Sequence, residues 1–140
     1  MIKFDKLEKL AAFLDGLPSA AFDFTVVRDE KKCGAVGCAI GWTPSVFPDE
    51  VGSTKFGVVL HGKVCMTGEH DFRTVAQQLF GVSRDEADAL FNADSGDDHQ
   101  AEDFDCPWNA SGHRLSINAG PRDVAGAIRR YVAWKRGGGK

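Results

Sequence analysis

Pro121-Arg122-Asp123-Val124-Ala125-Gly126-Ala127-Ile128-Arg129-Arg130-Tyr131-Val132-Ala133-Trp134-Lys135-Arg136 is the stretch on which the fold class of this chain turns. Val124, Ala127, Ile128, Tyr131 and Val132 fall on one stripe at helical spacing. Pro121 suits a first helical position, where its missing N–H would find no partner anyway. Lys135 and Arg136 complement the negative end of the helix dipole. The run therefore predicts an amphipathic helix that covers a core with one face. Gly137-Gly138-Gly139 should fray, so residues 137–140 are expected to form a flexible tail on a single globular domain spanning 1–136.

Working upstream, two more stripes repeat the pattern. Phe72, Val75, Ala76 and Leu79 are spaced i, i+3, i+4, i+7, and Gly81 follows as a left-handed cap. Ser83-Arg84-Asp85-Glu86 is a capping box that leads into Ala87, Leu90 and Phe91 on one face. These helices should form a corner or hairpin. At the start of the chain Leu7, Leu10, Ala11 and Leu14 predict a helix from about Lys6 to Asp15, with Asp5 and Glu8 as a capping box and Gly16 as the left-handed stop.

Between these helices the pattern changes. Phe22-Asp23-Phe24-Thr25-Val26-Val27 is rich in β-formers and predicts a short strand. Phe56–Leu60 and Lys63–Met66 flank His61-Gly62 and predict a β-hairpin. Cys33-Gly34-Ala35-Val36-Gly37-Cys38-Ala39-Ile40-Gly41-Trp42 is nearly all apolar or small and stops before Pro44. It reads as a short buried helix whose three glycines permit close approach of a neighbouring backbone. The expected architecture is α+β and predominantly α, with four or five short helices and a small β-hairpin or sheet.

Composition supports a self-folding domain. In 140 residues, 43% are apolar and 26% charged, far from the mixtures that stay disordered. No run approaches the roughly 18 consecutive apolar residues of a membrane span, and the first residues lack the order of a secretory signal. Four cysteines are too few for a disulfide scaffold, which points to a reducing cytoplasm, the host's if the chain is phage-encoded.

Charge is segregated along the chain. From Asp85 to Asp105 there are nine acidic residues and no Lys or Arg; from Arg114 to Lys140 seven basic residues stand against Asp123 alone. The net charge of −3 argues against direct binding to duplex nucleic acid. The acid run instead offers a surface: Asp94, Asp97, Asp98, Glu102, Asp103 and Asp105 are the candidate partner-binding residues. The bland alternative is a solvated loop that keeps the domain soluble. Trp108 and Trp134 read equally as interface anchors or as core residues.

The Cys33–Trp42 motif, followed by Leu79-Phe80-Gly81-Val82-Ser83 and Glu86-Ala87-Asp88-Ala89-Leu90-Phe91, resembles a group of small uncharacterised proteins from bacteriophages and bacteria. The resemblance covers residues 33 to 91. It implies a provenance and a helical core, and it carries no established activity.

Catalytic and metal chemistries find incomplete sets. Cys33, Cys38, Cys65 and Cys106 with His61, His70, His99 or His113 would suit zinc by residue type, but no pair has the C-x₂-C spacing. Cys33 and Cys38, if both helical, lie about 140° apart around the axis. Cys106 near His99 and His113 is the candidate nucleophile of a small Cys/His-dependent enzyme, an alternative resting on sequence proximity alone. The glycines of the Cys33 motif match neither phosphate-binding fingerprint, and the Asp94–His99 loop lacks the calcium-loop order. No catalytic residue, metal or cofactor is assigned.

The reading that follows is a non-catalytic binding protein, encoded by a phage or mobile element. It would inhibit or modulate a host protein or complex, a defence factor included, through its acidic surface. A homodimer is left open, and no membrane partner is expected. The alternative binding class is a sponge for a small nucleotide messenger, with Arg114, Arg129 and Arg130 as phosphate contacts.

Overall fold

The computed structural model describes residues 2–22, 28–31, 34–53, 58–61, 72–91, 107–109, 115 and 119–138. Among the described residues, five α-helices and two separate two-stranded antiparallel sheets make an α+β, mostly α, fold. In chain order these are α1 (Phe4–Asp15), β1 (Arg28–Lys31), β2 (Gly34–Gly37), α2 (Thr43–Val46), β3 (Val51–Ser53), β4 (Val58–Leu60), α3 (Phe72–Phe80), α4 (Arg84–Phe91) and α5 (Pro121–Arg136).

Helix α1 buries Leu7, Leu10, Ala11 and Leu14, the stripe its spacing predicts, and packs along α5 as its principal partner. The two run antiparallel, as their flanking ion pairs show: Glu8 meets Arg136 at 3.0 Å and Asp15 meets Arg129 at 2.5 Å. The ends of α1 differ from expectation. It starts at Phe4, and Lys3 at its N-cap makes no side-chain cap. The Lys3 amide donates to the Phe80 carbonyl at 2.7 Å, which ties the chain to the end of α3 and lets the helix begin two residues early. Glu8 is taken by Arg136, and Gly16 is right-handed, with φ −94°.

Helices α3 and α4 follow their sequence signals closely. Val75, Ala76, Leu79 and Phe80 are buried on α3, and Gly81 takes φ +71°, the left-handed value a β-carbon would disfavour. The Ser83 capping box forms in both directions: the Ser83 amide donates to Glu86 Oε1 at 2.9 Å, and the Glu86 amide donates to Ser83 Oγ at 3.1 Å. Helix α5 buries Val124, Ala127, Ile128, Tyr131 and Val132 as predicted.

The Cys33–Trp42 segment is not a helix. Gly34–Gly37 forms β2, paired with β1 from Arg28↔Gly37 to Lys31↔Gly34, and Ile40–Trp42 forms a single 3₁₀ turn before α2. Each glycine costs about 1 kcal/mol in a helix, whereas a hairpin with β1 satisfies the same backbone groups in extended form. Pro44 lies in the first turn of α2, so it opens a helix where it was expected to follow one. The expected strand at Phe22–Val27 falls largely outside the described residues. Val58–Leu60 is a strand as expected, but its described partner is the preceding Val51–Ser53, with Val51↔Leu60 in register; the Lys63–Met66 arm lies outside the described residues.

The core gathers apolar side chains of the five helices, β3 and β4, with Tyr131, Phe80, Leu7, Leu10, Leu14 and Ile40 among the largest fully buried ones. Phe80 lies at its centre, 5.9 Å from the ring of Phe47 and 5.8 Å from that of Phe91.

Candidate functional site

The acidic stretch begins on α4, and that helix sorts its first three carboxylates. Asp85 is exposed. Asp88 is half-buried against Arg73, whose Nη2 approaches its Oδ1 to 2.6 Å. Glu86 turns inward: one oxygen closes the Ser83 cap, while the other accepts from the Tyr131 hydroxyl at 2.8 Å and from Lys135 Nζ at 2.8 Å. Residue order counts all three in the acidic run and Glu86 also in the Ser83 capping box; of the three, Asp85 alone takes no part in these contacts. Asp94, Asp97, Asp98, Glu102, Asp103 and Asp105 lie outside the described residues, as does Arg114.

Glu86 is the residue that sequence reading missed as a junction. Burial acts to raise its pKa, but the hydrogen bonds from Lys135, the Ser83 amide and Tyr131, with the charge of Lys135, together hold its carboxyl below the ordinary carboxylate value. Burial and the adjacent carboxylate push the Tyr131 phenol well above its usual value. A carboxylate, a neutral phenol and an ammonium thus share one hydrogen-bonded node between α4 and α5. The signal was available only as helical phase: Glu86 lies one residue before Ala87 and four before Leu90, on the buried side.

The chain re-enters the described structure at Pro107-Trp108-Asn109, and it does so against α5. Trp108 is 5% exposed, packed edge-on to Tyr131 at 5.0 Å and tilted against Trp134 at 5.3 Å. Of its two readings, the core position is the one observed; Trp134 is partly buried beside it. Asn109, also buried, accepts at Oδ1 from Arg130 Nε at 3.2 Å and from Arg130 Nη2 at 2.9 Å.

Helix α5 makes this contact with the help of Gly126. A β-carbon at that position would lie 3.2 Å from Arg130 Nη1, so the guanidinium occupies space that a side chain one turn earlier would crowd. This is a reason for a glycine in the middle of a helix, where it costs about 1 kcal/mol against alanine.

Of the arginines read as alternative phosphate contacts, Arg129 and Arg130 have protein partners and Arg114 lies outside the described residues. Arg129 pairs with Asp15, whose hydrogen bond and charge hold the guanidinium's pKa above its ordinary value, while Arg130 holds Asn109. Neighbours in a helix point about 100° apart, and these two engage different partners, Asp15 of α1 and Asn109.

For the metal reading, Cys38 is buried in the core and His61 is exposed with Nδ1 3.2 Å from the Asp49 carbonyl oxygen. Cys33, Cys65, Cys106, His70, His99 and His113 lie outside the described residues. Among the described residues no group of three or more His, Cys, Asp or Glu gathers to hold an ion. No described helix is long and apolar enough to cross a membrane. Comparison with family models, with curated proteins and with solved structures gave no match.

Proposed function

We propose that this chain is a small binding protein that engages a basic partner through the acidic stretch beginning at Asp85 and running to Asp105. The single observation that supports this reading is charge segregation: nine carboxylates without one Lys or Arg among them, followed from Arg114 to Lys140 by seven basic residues against Asp123 alone. Helix α4 refines the set. Glu86 serves the core and Asp88 pairs with Arg73, leaving Asp85, Asp94, Asp97, Asp98, Glu102, Asp103 and Asp105 as the carboxylates for a partner.

Clustered carboxylates steer association with an arginine-rich groove and compete there with nucleic-acid phosphates. The partner class is therefore a host protein with such a groove, met in the cytoplasm, and the effect is inhibition or modulation. The resemblance read over residues 33 to 91, if it reflects a phage origin, would make that partner a host factor, a defence protein included.

The test is comparative capture. Wild-type chain and the Asp97→Lys, Asp98→Lys, Glu102→Lys, Asp103→Lys variant are immobilised and exposed to host lysate at low and high salt. A protein retained by the wild type at low salt, released by salt and lost with the variant supports the reading. Equal retention by both removes the acidic stretch from the mechanism.

A further inference from the structure

We draw no further inference here: the strongest candidate, the open cavity of about 430 Å³ at the start of α1 lined by Ile2, Lys3, Phe4, Asp5, Lys6 and Arg136, rests on a helix N-terminus whose neighbouring cations Lys6 and Arg136 already pair with Glu50 and Glu8, and nothing in the structure points to a ligand there.

Discussion

The Tyr131 hydroxyl donates a 2.8 Å hydrogen bond to Oε2 of Glu86, joining two helices 45 residues apart in sequence through a carboxylate that also caps its own helix. Lys135 supplies the compensating charge. Burying a carboxylate is costly unless it is paired and hydrogen-bonded, and all three donors here meet that condition.

Removing one donor exposes that cost. Tyr131→Phe keeps the ring against Trp108 but deletes the hydroxyl, and it should lower the free energy of unfolding by about 2 kcal/mol, in the range for hydrogen bonds to charged groups. Urea denaturation measures this. Combined with Lys135→Met, the losses should fail to add, because both act on one carboxylate; strict additivity would mean that the three groups do not form a unit.

Stability should fall at both ends of the pH scale. Glu86 is depressed in the folded state, so its contribution is present above the unfolded value of 4.5 and is lost as pH falls through the lower folded value. Tyr131 is raised, so its contribution is present below the unfolded value of 10.0 and declines as pH rises beyond it. Glu86→Gln should flatten the acid limb of a plot of thermal midpoint against pH, and Tyr131→Phe the alkaline limb. An acid limb as steep in Glu86→Gln as in the wild type would assign acid sensitivity to other carboxylates.

Phe80 is fully buried, between Phe47 and Phe91. Its truncation to alanine should cost about 3–5 kcal/mol, a large fraction of the roughly 5–15 kcal/mol that ordinary domains possess. Phe80→Leu should cost far less. Calorimetry on both variants checks the ranking.

Gly126→Ala sets helix propensity against the space occupied by Arg130. Alanine gains about 1 kcal/mol in the helix, and the obstructing atom at 3.2 Å is the far end of a flexible side chain, which yields by a few tenths of an ångström. The variant should therefore be more stable by about 0.5–1 kcal/mol. A loss of stability in thermal unfolding would show that the Arg130 clamp on Asn109 is more rigid than its exposure implies.

Much of the helical framework was legible from residue order. The stripes of α1, α4 and α5 bury the residues their spacing marks, that of α3 does so except at Phe72, which is half-buried at the start of the helix, and the Ser83–Glu86 box forms as read. These are signals of short range, in which a helix turn brings i, i+3 and i+4 together whatever the rest of the chain does. Failures occurred where a local signal competed with a distant partner. Asp5 and Glu8 spell a capping box, but the Phe80 carbonyl captures Lys3 and Arg136 captures Glu8. The Cys33–Trp42 segment is apolar enough for a buried helix, but pairing with Arg28–Lys31 draws its first half into a strand.

Sequence by itself determined the fold class, four of the helical faces and the division of charge into an acidic middle and a basic end. Only tertiary structure decided what individual charges do. Glu86 and Asp85 are adjacent and chemically alike, yet one is drawn into the core by Tyr131 and Lys135 while the other faces solvent. Arg129 and Arg130 are identical neighbours, yet one closes the seam with α1 and the other clamps Asn109. Periodicity is a property of the local backbone, but the partner of a charge is set by which distant elements pack beside it, and that is decided only when the core closes.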